Sequence, residues 1–151
     1  MTYMHFQGPT FTMEVPTDWF VTATPQFQAL FLAPPTPDAI RANLAVSMRP
    51  VKDDVTVASV AEAARANQER EYPQYEILTE VDFTDRGGVG FQRCYRWFNQ
   101  SQNAEVLQVQ TFFVVKQILY TLTATRSKSS VSPELDDLFD YMVTSFRIVQ
   151  N

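Results

Sequence analysis

The chain has 151 residues, 45% of them hydrophobic and 19% charged, which is the balance of one globular domain and not of a disordered chain. A formal net charge of −5, with its twelve lysines and arginines scattered singly, leaves no basic surface for a phosphate backbone and argues against nucleic acid as a partner. The single cysteine, Cys94, excludes an intrachain disulfide, and no apolar run is long enough to span a bilayer.

The opening Met1 to Gln7 has neither the basic nor the apolar region of an export signal, so the expected location is cytoplasmic, with His5 in a mobile N-terminal stretch. From Pro9 to Trp19, Phe11, Met13 and Val15 alternate with Thr10, Thr12 and Glu14, the period of a half-buried strand. Pro16-Thr17-Asp18 turns the chain, because Pro presets φ and Asp bonds to nearby backbone. Short strands are expected at Phe20 to Thr24 and Gln26 to Ala33. The Pro34 to Asp38 stretch is a loop, since its three prolines remove the donors a ladder needs. Ala42 to Val51 alternates again, with Leu44, Val46 and Met48 on one face.

The pattern changes after Asp53. Thr56 or Ser59 can cap a helix, and Ser59-Val60-Ala61-Glu62 fits a reciprocal capping box. Val57, Val60, Ala61 and Ala64 recur at helical spacing, and Tyr72-Pro73 stops the helix because a residue before proline resists the α region. A stripe of mostly small residues brings this helix close to the sheet. Tyr75 to Thr84 alternates weakly among charges, as a solvated edge strand does. Asp85 to Gly88 is a hairpin turn, and Val89 to Phe98 returns from it. Asn99 to Asn103 is a polar turn before the two most apolar strands, Val106 to Lys116 and Ile118 to Arg126.

The last element is a helix, with Ser132 as N-cap, Pro133 at the first helical position, and Glu134 and Asp136 near the positive end of the dipole. Its stripe of Leu135, Leu138, Phe139, Met142 and Phe146 marks a core face. The whole reads as a single α+β domain, an antiparallel sheet of about six or seven strands flanked by helices.

Catalytic chemistry finds no foothold in this pattern. With one histidine and one cysteine, zinc-type ligand spacing is absent, and no cofactor or metal is expected. Asp53-Asp54 and Asp136-Asp137 lie at helix starts, where the dipole accounts for both pairs. Gly87-Gly88-Val89-Gly90 leads into a strand and not into a helix, which sets it apart from a phosphate loop. Cys94 lies between Arg93 and Arg96 on a strand and reads as a small buried thiol.

The apolar hairpin carries the one hint of binding. Alternation puts Leu107, Val109, Thr111, Phe113 and Val115 on one face, and Val106, Gln108, Gln110, Phe112 and Val114 on the other. The partner strand splits into Ile118, Tyr120, Leu122 and Ala124 against Leu119, Thr121, Thr123 and Thr125. The first face is a core face; the second mixes amides, hydroxyls and an aromatic ring. Gln108, Gln110, Phe112, Thr121 and Thr123 are therefore the candidate partner-binding residues, on a face suited to an apolar ligand with a few polar groups.

In element order the chain also resembles a known family. Phe11, Val15, Pro16 and Trp19 form an opening F-x-x-x-V-P-x-x-W, followed by an alanine-rich helix and the hairpin from Gly87 to Tyr95. Then come Gln108 to Phe112 (Q-x-Q-T-F), Tyr120 to Thr125 (Y-T-L-T-A-T), and a closing helix with Met142 to Arg147. This pattern resembles the DcrB-like (DUF1795) family within the Mog1/PsbP-like superfamily. The resemblance implies an α/β/α sandwich around an antiparallel sheet. It also implies a non-catalytic binding or chaperone-like adaptor, with a protein or hydrophobic peptide segment as partner and a homodimer as assembly. Relatives in that superfamily include a photosystem subunit, a Ran-binding factor, envelope lipoproteins and cytoplasmic chaperones that shield apolar segments of type VI secretion effectors. The last kind is the one expected here; the alternatives are a small-molecule-binding domain or an envelope-lipoprotein-like domain.

Overall fold

The computed structural model describes residues 2–83, 89–128 and 133–149. Ten strands and two helices follow in chain order: β1 (Tyr3–Gln7), β2 (Phe11–Pro16), β3 (Phe20–Thr22), β4 (Ala29–Leu32), β5 (Asn43–Pro50), α1 (Val57–Glu71), β6 (Glu76–Phe83), β7 (Val89–Asn99), β8 (Ala104–Val115), β9 (Ile118–Ser127), α2 (Pro133–Ser145) and β10 (Arg147–Ile148). Seven of them form one antiparallel sheet in the order β3-β4-β5-β9-β8-β7-β6. The remaining three form a small sheet, β1-β2-β10. The expected turn at Asp85 to Gly88 and the expected cap Ser132 lie outside the described residues.

Two strands depart from the sequence expectation, β1 and the short β10, which pairs with β2 through Arg147 opposite Thr12 and Ile148 opposite Phe11. The stretch expected to be mobile is β1, paired with β2 from Tyr3 opposite Pro16 to Gln7 opposite Thr12. Met4 and Phe6 pack on the core, Tyr3 meets Tyr141 with ring centroids 4.5 Å apart, and His5 Nδ1 lies 2.8 Å from Glu14. Those anchors lie on β2 and α2, outside the stretch itself, so its own periodicity cannot reveal them. The tight return between the strands needs Gly8, where a Cβ would stand 2.5 Å from the Phe11 ring.

One face of the large sheet is covered over its central strands. Phe31, Leu44, Val46, Phe113, Tyr120 and Leu122 project from it into a layer made by β2 and α2, where they meet Phe11, Met13, Val15, Trp19, Phe139, Met142 and Phe146. Phe146 sits at the centre of an aromatic cluster with Phe11, Phe113 and Tyr120. Of the predicted stripe on α2, Phe139, Met142 and Phe146 are buried, and Leu135 and Leu138 are half-buried. Ser145 Oγ accepts from the Glu14 backbone N–H at 2.9 Å, tying the helix end to β2.

The other face is covered at one end only, by α1. Val57, Val60 and Ala61 press on Phe112 and Leu119. Alanine at position 61 permits the close approach expected from the sequence. Helix α1 starts at Thr56, whose hydroxyl accepts from Ser59 N–H while the Ser59 hydroxyl accepts from Thr56 N–H. The capping box is thus Thr56/Ser59, one turn earlier than Ser59/Glu62, because Val57 already faces the core; Glu62 pairs with Arg65 instead. The helix stops at Tyr72, as Pro73 requires. Beneath α1, the buried Arg93 donates to the Ala61 carbonyl at 2.8 Å and pairs with Glu80 at 2.8 Å, which partners a charge that burial would otherwise penalise. Strand β6 is the exposed edge that its charges foretold, with a bulge between Ile77 and Thr79. No helix among the described residues is long and apolar enough to cross a membrane.

Four glycines in the whole chain leave its turns to other residues. In the β8–β9 hairpin, Lys116 and Gln117 both adopt positive φ, at 50° and 62°. That is the geometry which asparagine and glycine accept with least strain. Replacing the pair (Lys116→Asn with Gln117→Gly) is expected to stabilise the fold by about 1–2 kcal/mol. Urea unfolding should show a higher midpoint at unchanged slope.

Candidate functional site

Where α1 ends, the second face opens into a groove of about 560 Å³. Strand pairing places successive rows of side chains across its floor: Gln110 opposite Thr123 and Ala45 beside it, then Gln108 opposite Thr125 and Asn43 beside it. One wall is aromatic. Tyr72 stacks on Trp97 at 4.1 Å with the rings 12° from parallel, and the buried Tyr95 lies behind both. The opposite wall is Phe27, Leu32 and Ile40, with Arg41 at the rim. Arg41 is held there by its Nε, which donates to the Ala33 carbonyl at 2.7 Å, and by stacking over Phe20. At the far end, Gln102 Nε2 donates to the Ala39 carbonyl, joining the β7–β8 turn to the proline-rich loop.

Polar side chains in the floor are partnered laterally. Gln68, buried at the end of α1, donates to Gln110 Oε1 at 2.9 Å and to the Tyr95 hydroxyl at 3.3 Å, and accepts from the Tyr75 hydroxyl at 2.9 Å. Trp97 Nε1 donates to Gln108 Oε1 at 3.0 Å. Gln108 Nε2 donates to Thr125 Oγ1 at 3.0 Å, and Gln110 Nε2 to Thr123 Oγ1 at 3.3 Å. Burial raises the pKa of Tyr72, Tyr75 and Tyr95, so these phenols stay protonated and are no general bases near neutral pH.

Of the five candidate binding residues, Gln108, Gln110 and Thr123 line this groove. Phe112 shares their face but is only 2% exposed, because α1 lies on it. Thr121, opposite Phe112, is half-buried and outside the groove lining. Alternation in β7 was the available signal for Tyr95 and Trp97, which share parity with Phe91 and Arg93. Tyr72, Phe27, Leu32 and Ile40 reach the site through tertiary contact and carry no local signal.

Cys94 lies elsewhere, on the covered face, in a crevice of about 330 Å³ beneath α2 lined also by Gln92, Val109, Phe139 and Asp140. Burial raises its pKa, the wrong direction for a nucleophilic thiolate. Asp136 forms a two-point pair with Arg126, and Asp53 and Asp54 are exposed before α1. Among the described residues no cluster of three His, Cys, Asp or Glu side chains could hold a metal ion.

The seven-stranded antiparallel sheet, its two helices and the small extra sheet make this a Mog1/PsbP-like α+β fold. Similar solved structures include the cyanobacterial PsbP protein (CyanoP) of Synechocystis, at 15% identity and a TM-score of 0.73 over 97% of this chain and 92% of that one. LpqN of Mycobacterium tuberculosis, described as involved in cell envelope biogenesis, has 14% identity and a TM-score of 0.75 over 99% and 90%. The Saccharomyces cerevisiae Ran-binding protein Mog1p has 13% identity and a TM-score of 0.62 over 99% and 97%. No family model matches the chain, and no curated protein matches it in sequence.

Two measurements check this description. Gln68→Leu strands the Gln110 acceptor and the Tyr75 hydroxyl, and should cost about 1–3 kcal/mol in chemical denaturation. The pH at which Cys94 alkylation by iodoacetamide reaches half its limiting rate should lie above that of the urea-unfolded chain, since burial lowers the thiolate fraction at any given pH.

Proposed function

We propose that this chain is a non-catalytic binding domain whose partner seats in the groove over β8 and β9. The observation that carries this reading is a sheet face left open beside α1, with two facing apolar walls and a floor of partnered amides and hydroxyls. Apolar walls supply area, and a few fixed polar groups supply orientation. A solved structure of the same fold belongs to a Ran-binding protein, which is consistent with a protein partner here. In its finer form, the proposal is a cytoplasmic adaptor of the DcrB-like kind that shields an apolar segment of a secreted effector before export.

A second reading, a small-molecule-binding domain, is favoured by the crevice beneath α2, whose volume of about 330 Å³ lies at the lower end of ligand-pocket sizes. Native mass spectrometry of the chain purified from its own cells separates the two. A polypeptide adduct on the wild type that is lost in Thr123→Lys, with circular dichroism unchanged, is the outcome expected of the groove. An adduct of equal occupancy on both proteins would reject the groove as its site, and a small organic adduct retained by both would favour the crevice.

A further inference from the structure

Hydrogen bonding in the groove floor has a sign. The indole N–H of Trp97 can only donate, so Gln108 must turn its Oε1 toward Trp97. Its amide nitrogen then faces Thr125, whose hydroxyl oxygen accepts. A hydroxyl that accepts from Gln108 keeps its own proton to give elsewhere. The adjacent rung repeats the arrangement, with Gln110 accepting from Gln68 and donating to Thr123. Among the described residues, neither threonine hydroxyl makes a second hydrogen bond. Each rung therefore satisfies its amide oxygen within the protein and retains a hydroxyl proton and a second amide hydrogen.

The two rungs are direct cross-strand pairs two residues apart, Gln108 with Thr125 and Gln110 with Thr123. Their spacing along the strands is about 6.8 Å, twice the rise per residue. An extended peptide repeats the carbonyls of one edge at that same spacing. An α-helix turns its carbonyls into its own i to i−4 bonds and has none along its length to offer. A segment lying edge-on to the floor would send its side chains alternately sideways. One set would meet Tyr72 and Trp97, the other Phe27 and Leu32, which stand on opposite flanks of β8 and β9.

From this match we infer that the groove takes an extended segment of a protein partner, with backbone carbonyls i and i+2 accepting from the Gln108–Thr125 and Gln110–Thr123 rungs. The inference rests on the groove being the binding site and adds the conformation of what binds. Recognition through the backbone tolerates many sequences, with apolar side chains preferred at both walls.

Isothermal titration tests it with two probes: a capped peptide of four valines flanked by lysines, and a side-chain-stapled alanine–leucine helix with the same flanks. The extended probe should bind the wild-type chain, and the helix should not. The double variant T123V/T125V keeps side-chain shape but removes both hydroxyl protons. It should weaken the extended probe about 25-fold, at roughly fivefold per hydrogen bond. Thr121→Val, on the same strand but outside the groove, should leave affinity unchanged. Binding of the helix alone would overturn the extended geometry while leaving the groove as a site. Unchanged affinity in T123V/T125V, or no binding of either probe, would overturn the inference, and the adduct experiment with Thr123→Lys would still decide separately whether the groove binds a polypeptide.

Discussion

Pairing of β8 with β9 runs in unbroken register from Val106 opposite Ser127 to Val115 opposite Ile118, and the two layers of the molecule depend on it. A slip of β8 by one residue against β9 would turn Phe113 out of the aromatic layer and drive Gln108 and Gln110 into it. Register also sets which amide meets which hydroxyl, because Gln108 faces Thr125 and Gln110 faces Thr123 only in this alignment. Both the core and the groove floor are thus consequences of a single strand pairing. The strained two-residue turn at Lys116 and Gln117 is tolerated because the ladder on either side determines it.

The two faces are unequal because their covers differ in reach. On one side, α2 and β2 bring a continuous set of large side chains, and the layer closes around Phe146. On the other, α1 spans 15 residues, or about 22 Å, and Pro73 prevents it from continuing over the rows beyond Gln68. An apolar surface left open there would invite nonspecific association. Lateral bonding among Trp97, Gln108, Thr125, Gln110 and Thr123 lets those rows face solvent without stranding a donor-only indole or an amide oxygen. The groove is the part of the sheet that the helix does not reach, finished with side chains that can stand alone.

Much of this was legible along the chain, for a definite reason. Strands β5, β8 and β9 have two faces of different chemistry, so period-two alternation assigned Leu44, Phe113 and Leu122 to the core side and Gln108, Gln110 and Thr123 to the other. Pro73 marked the end of α1, and the charges of β6 marked an edge. Strands β1 and β10 were not legible, because their order comes from pairing with β2. Thr56 was one of the two expected caps of α1, but the capping box was placed a turn late, at Ser59/Glu62, since Glu is the usual third residue of that box and only packing of Val57 selects Thr56/Ser59. Phe112 shows the same limit: alternation gives its face, and only the position of α1 tells that this part of the face is covered. The aromatic wall needed the meeting of a helix end with a strand 25 residues onward, Tyr72 with Trp97.

The positions of the two tryptophans have a practical consequence. Trp19 stands edge-on to Phe139 inside the closed layer, whereas Trp97 lies against Tyr72 at the mouth of the groove. Intrinsic emission therefore has two sources on opposite sides of the sheet, one sealed from solvent and one beside it. A soluble quencher distinguishes them, so loosening of the aromatic layer and filling of the groove become separate optical signals in the unlabelled protein.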